Sequence, residues 1–146
     1  MKTAPNSLPT CYLFDYGRLQ RSFDNEMSDL VQRSFVYKGK AHFEGSLYDV
    51  GNFPAAIFAG RPEAKVHGEL FRIPACEVSL VDLLDEYKGC PELCDRILIE
   101  VTQDDGTIID AMVYVYKHTT QNLNPIDSGN YREYCEDTVK TKDVRY

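Results

Sequence analysis

The segment most restrictive of fold lies late in the chain, where two largely apolar runs, residues 96–101 and 108–116, flank the dipeptide Asp105-Gly106. Asp-Gly favours the positive φ values of a tight hairpin turn, so the two runs are expected to fold back as antiparallel strands. Earlier segments add to the same sheet. Tyr12-Leu13-Phe14-Asp15-Tyr16 reads as a first strand. Phe35, Tyr37, Ala41 and Phe43 alternate around breaks at Gly39 and Gly45, and Gly51-Asn52-Phe53-Pro54 forms a turn cluster. Val66, Gly68 and Leu70 alternate with His67, Glu69 and Phe71 ahead of Pro74, the pattern of a half-buried strand. In it His67 and Glu69 share the polar face, and Gly68 permits close approach of another backbone.

Two segments carry helical spacing instead. Residues 23–33 place Phe23, Met27, Leu30 and Val31 among polar neighbours. From Ser79, the residues Leu80, Leu83, Leu84 and Tyr87 fall at i, i+3, i+4 and i+7, with Ser79 and Asp82 in capping-box positions and Gly89 at the end. Beyond Gln121 the chain is polar and rich in turn residues, consistent with loops and a short helix. Together these elements predict one α+β domain over residues 1–146, a small, mostly antiparallel β-barrel with peripheral helices.

Composition narrows the function classes. At 146 residues one core needs no metal or disulfide staple. No apolar run reaches membrane-spanning length, and residues 1–10 show no secretory signal, so they read as a loose lead-in. A net charge of −7 without clustered cations disfavours a nucleic-acid partner. Five cysteines, an odd number with no framework spacing, favour a reducing compartment, with cytoplasm as the expected location. Cys90 and Cys94 are three residues apart rather than two, no second pair follows, and His42, His67 and His118 are scattered, so neither a metal nor another cofactor is predicted.

The candidate site begins at Tyr16-Gly17-Arg18-Leu19. A glycine turn at a strand end can align successive peptide N–H groups into a small nest for a carboxylate or another anion. Glycine supplies the backbone freedom for that turn. Tyr16 reads as core or pocket wall, and Arg18 either faces solvent or meets an anion.

In order, Tyr16-Gly17-Arg18-Leu19, Leu47-Tyr48 with Phe53-Pro54-Ala55, Val66-His67-Gly68-Glu69-Leu70, Leu84-Asp85-Glu86-Tyr87-Lys88-Gly89, Pro91, Arg96, Ala111 with Tyr114, and Ser128-Gly129-Asn130-Tyr131 resemble the γ-glutamylcyclotransferase-like family. The resemblance implies a compact barrel whose Tyr-Gly-X-Leu loop, here Tyr16, Gly17, Arg18 and Leu19, holds a γ-glutamyl group partly through backbone N–H contacts. It also implies a cyclisation in which the substrate's α-amine attacks its own γ-carbonyl, giving 5-oxoproline and a released amine. The family's general acid–base is a glutamate that follows the aromatic residue of a Leu-Asp-X-aromatic segment. The matching residue here is Lys88.

A lysine, an ammonium at neutral pH, cannot accept the proton of an attacking ammonium. Glu86 stands two positions away, where helix geometry points it to another side, and Glu92 lies past Gly89 and Pro91, where the helix has ended. Lys88 itself reads either as a solvated lysine paired with Asp85 at i, i+3 or as an anion contact in a recast catalytic corner. Two functions follow: a cyclotransferase-like enzyme with impaired chemistry, or a catalytically inactive protein that binds a γ-glutamyl compound or another small anion.

Overall fold

The structure, a computed structural model, describes residues 11–58 and 64–144. The expected lead-in over residues 1–10 lies outside them. Strands β1 (Cys11–Asp15), β2 (Val36–Asp49), β3 (Pro54–Phe58), β4 (Lys65–Ile73), β5 (Cys94–Gln103), β6 (Ile108–Tyr116) and β7 (Asn124–Pro125) are joined by helices α1 (Glu26–Ser34), α2 (Val78–Lys88) and α3 (Tyr131–Val144).

Five strands close a barrel in the order β2-β4-β1-β6-β5, with β5 returning to β2 through Ala41 opposite Gln103 and His42 opposite Thr102. All neighbours in this ring are antiparallel except β1 and β6. The predicted Asp105-Gly106 hairpin joins β5 to β6, with Gly106 at φ 93°. β3 and β7 pair with the C-terminal end of β2, residues 45–49.

The two faces of the barrel wall bury different cores. Phe14, Phe43, Val66, Leu70, Val101 and Val113 belong to one cluster, while Leu13, Phe71, Ile73 and Tyr114 pack with Val31 of α1 and Val81 and Leu84 of α2 in another. Adjacent residues of β1 thus serve both cores, so Leu13, Phe14 and Asp15 are all buried. The same double coverage buries Glu69, which alternation had placed on a polar face. Its carboxylate accepts from the Arg21 amide at 2.8 Å and pairs with the Arg21 guanidinium at 3.6 Å.

Several local expectations are corrected. Gly39 and Gly45 do not break β2: the strand runs through both, with only a register shift between Tyr37 and Gly39. Helix α1 starts later than periodicity suggested because the Asn25 side chain accepts from the Ser28 amide and fixes the cap. No side chain caps α2, so the Ser79–Asp82 box is not formed, although Gly89 does end the helix in the left-handed conformation. Its buried stripe runs through Val81 and Leu84, leaving Leu83 42% and Tyr87 44% exposed. The short helix foreseen near the end is the 14-residue α3, capped by the Asn130 side chain, which accepts from the Glu133 amide. Cys11 is disulfide-bonded, against the expectation drawn from cysteine spacing. Among the described residues, no helix is long and apolar enough to cross a membrane.

Candidate functional site

At the end of β1 the chain turns sharply, and the turn is organised by its own strand. Asp15 Oδ2 accepts from the Gly17 amide at 2.9 Å and the Leu19 amide at 3.0 Å. Two N–H groups expected to receive a ligand are therefore engaged by an internal carboxylate. Backbone freedom is not what Gly17 supplies: its φ is not positive, and a Cβ there would sit in tight contact with the Pro54 ring, 3.0 Å from Cγ. Gly68 fulfils its predicted role, since a Cβ at that position would stand 2.3 Å from the Asp15 carbonyl oxygen. Its absence lets β4 lie close against the residue that organises the turn.

Asp15 has 1% of its side chain exposed, and its other oxygen, Oδ1, receives the Lys88 ammonium at 2.8 Å. Lys88 reaches this position from the last turn of α2. Its side chain is 16% exposed, and its Nζ lies 5.7–6.0 Å from the ring centres of Tyr16, Tyr87 and Tyr114. This is neither a solvated lysine nor a partner of Asp85. Asp85 instead accepts two bonds from Arg96, at 2.8 and 3.1 Å, and one from the Tyr114 hydroxyl at 2.7 Å. Burial, followed by that carboxylate, pushes the Tyr114 phenol well above its ordinary range.

Lys88 faces a cavity of about 790 Å³. Its walls are aromatic, with Phe23, Tyr114, Tyr131 and Tyr134 among the lining residues. Phe23 stacks on Tyr131 and Tyr131 on Tyr134, giving a continuous ring surface along one side. Arg18 lies over Phe23, 5.3 Å from the ring centre. The lining includes one carboxylate, Asp49, which accepts from the Gly51 amide at 2.8 Å and the Tyr134 hydroxyl at 2.6 Å. That bond, with burial second, pushes the Tyr134 phenol up to about 12. The cavity thus carries cationic groups at Arg18 and Lys88 and an anionic one at Asp49, on walls rich in tyrosine.

Tyr16 is both core and cavity wall: it is buried, donates its hydroxyl hydrogen to the Tyr114 carbonyl and lines the cavity. Arg18 and Lys88 also line it, whereas Gly17 and Leu19 do not. Glu86 is exposed outside the lining, as is Glu92, so neither is placed to replace a base at Lys88. His67 lies beside His42 rather than at the cavity, with ring centres 5.8 Å apart, and burial lowers its pKa. Cys90 and Cys94 are free thiols with their sulfurs 3.1 Å apart. Among the described residues, no group of three or more His, Cys, Asp or Glu side chains is arranged to hold a metal ion.

Sequence reasoning missed Asp15. The signal was present, because a carboxylate in an apolar strand must find a cation or several donors when buried. Asp49 and Tyr134 were also missed, since their contact spans 85 positions in sequence and neither lies in a recognisable motif.

Comparison with known proteins fits this geometry. The model of the family described as "Gamma-glutamyl cyclotransferase, AIG2-like" matches residues 13–133. No curated protein sequence matches. Among solved structures, YkqA of Bacillus subtilis superposes with a TM-score of 0.70 at 22% identity, over 90% of this chain. The match covers 43% of YkqA, so this chain spans less than half of that protein. An AIG2-like protein of Mus musculus gives 0.64 at 19% identity, over 82% of this chain and 87% of that one. A structure named gamma-glutamyl cyclotransferase gives 0.57 at 16% identity, over 80% and 70%. At these identities the superpositions report the shared barrel, while the family match spans the turn, Lys88 and the cavity lining up to Tyr131. The chain belongs to the gamma-glutamyl cyclotransferase, AIG2-like family.

Proposed function

We propose that this protein binds a small γ-glutamyl compound, or a related anion, in the barrel-side cavity without cyclising it efficiently. The observation that carries this reading is the Lys88–Asp15 ion pair. Cyclisation needs a base to take a proton from the attacking α-ammonium and return one to the leaving amine. At the place where the resemblance puts the family glutamate stands an ammonium, already hydrogen-bonded to a buried carboxylate. That carboxylate is itself a poor substitute: its two oxygens are occupied by Lys88 and by the amides of Gly17 and Leu19. Loss of a positioned base costs about 10²–10⁴ in rate.

The cavity keeps features suited to binding. Arg18 offers a planar set of donors for a carboxylate, and Asp49, half-buried at the wall with its oxygens already accepting from the Gly51 amide and the Tyr134 hydroxyl, adds a negative charge that favours an ammonium. A γ-glutamyl group carries both charges on its α-carbon, and the aromatic walls suit an apolar remainder. Calorimetric titration with a panel of γ-glutamyl amino acids, run beside a 5-oxoproline assay on the same compounds, tests the reading. Binding heat without 5-oxoproline is expected. Turnover of the bound compounds would overturn the binding-only reading, and neither heat nor turnover would remove γ-glutamyl compounds as its ligands.

A further inference from the structure

We propose that Cys90 and Cys94 form a dithiol–disulfide site, closing across the loop between α2 and β5 by exchange with a low-molecular-weight disulfide. Both thiols are free, and their sulfurs stand 3.1 Å apart. A disulfide bond is about 2.05 Å long, so closure needs a movement of only about 1 Å. The backbone holds the sulfurs in this relation from both sides. The Cys90 amide donates to Asp85 at 2.9 Å and the Leu93 amide to Gly89 at 2.7 Å, while Cys94 opens β5 opposite Tyr116. The site stands independently of what the cavity binds.

The two sulfurs are unequal. Cys90 is half-buried and Cys94 is buried. Burial raises both thiols and, with the Cys90 contact second, pushes Cys94 up to about 12. Cys90 therefore reacts first. Its thiolate attacks the external disulfide, forming a mixed disulfide and releasing one thiolate, which takes up the proton Cys90 lost. Cys94 then gives up its proton and attacks the Cys90 sulfur, closing the internal bond and releasing the second thiol. Two protein thiols are oxidised and one external disulfide is reduced to two thiols. Raised thiol pKa values make the exchange slow near neutrality and faster at higher pH.

Closure reaches the candidate site because Cys94 lines the cavity and its thiol donates to the Lys88 carbonyl at 3.3 Å. The disulfide has no such donor, so oxidation removes one support of the residue that carries Lys88.

The test equilibrates the intact protein with mixtures of bis(2-hydroxyethyl) disulfide and 2-mercaptoethanol, a couple with no γ-glutamyl group for the cavity to recognise. After acid quenching, alkylation and tryptic cleavage, Cys90 and Cys94 lie on one peptide, residues 89–96, bounded by Lys88 and Arg96. The expected result is an unalkylated peptide about 2 Da lighter, formed at an oxidant ratio at least about tenfold lower in the native protein than in urea. A doubly alkylated peptide or a persistent mixed disulfide at saturating oxidant would overturn the proposal. So would a native advantage smaller than that.

Discussion

Replacing Lys88 by Met isolates the contribution of the ion pair, because methionine retains much of the apolar stem and deletes the ammonium. Asp15 would then keep its bonds from the Gly17 and Leu19 amides but lose its cation while remaining 1% exposed. Breaking a buried pair from one side costs about 3–5 kcal/mol. The 16% exposure of Lys88 and the two amide bonds left on Asp15 reduce the expectation to about 2–4 kcal/mol. For a chain of this size that is a fall in Tm of roughly 5–15 °C. Asp15→Asn should cost less, since the amide oxygen can still accept both turn N–H groups and Lys88 can extend toward the cavity. The double substitution should recover part of the loss, with a coupling energy of about 1–3 kcal/mol. Urea unfolding of the four proteins reads each term directly. A Lys88→Met variant within about 0.5 kcal/mol of the parent, or strict additivity in the cycle, would refute the claim that Asp15 is a buried charge held by Lys88.

Other expectations test neighbouring parts of the account. Gly68→Ala should destabilise the fold by about 2 kcal/mol or more, because the new Cβ meets backbone oxygen at 2.3 Å; unfolding midpoints unchanged from the parent would contradict that packing. Arg18→Ala should weaken binding of a γ-glutamyl carboxylate by about tenfold or more in calorimetry while leaving thermal stability near the parent value, and equal affinity would remove Arg18 from the site. His67 has a folded pKa depressed by burial, so the unfolded chain takes its proton first as pH falls. Its contribution is present above the ordinary value of about 6.5 and is lost as pH drops from there through the folded value; His67→Asn should flatten that part of the stability profile measured by urea unfolding. Asp49→Asn should bring the Tyr134 phenol down from about 12 toward its ordinary value, seen by NMR titration of the ring, because the carboxylate favours the neutral phenol.

Much of the architecture was legible because it rests on local signals. Asp105-Gly106 specified a hairpin, Gly89 ended α2, and ordered segments from Tyr16 to Tyr131 carried the family resemblance that the barrel bears out. What alternation could not convey was coverage of the barrel wall on both faces. That coverage buried Glu69 and Asp15, and α2 buries Val81 beside the expected Leu84 while Leu83 and Tyr87 stay exposed. Lys88, which the resemblance sets at the position of the family glutamate, was legible in the sequence, yet its partner was not, because 73 residues separate Lys88 from Asp15. Asp85, three residues from Lys88, was the nearer candidate in sequence. Arg96 and Tyr114 claim its carboxylate instead. The turn at Tyr16-Gly17-Arg18-Leu19 was read as a nest for a ligand's anion, whereas the amides of Gly17 and Leu19 are taken by Asp15 from within the chain.

The central claim is that the Lys88–Asp15 pair removes the chemistry and leaves the cavity. Its most direct test compares 5-oxoproline formation from a panel of γ-glutamyl amines by the unmodified protein and by Asp15→Asn/Lys88→Glu. In the double variant the asparagine oxygen can still accept the two turn amides, and its NH₂ can face the new carboxylate. No formation above buffer is expected from the unmodified protein, and a rate higher by about 10² or more from the double variant on at least one amine. Robust turnover by the unmodified protein, equal to or faster than the double variant, would contradict it.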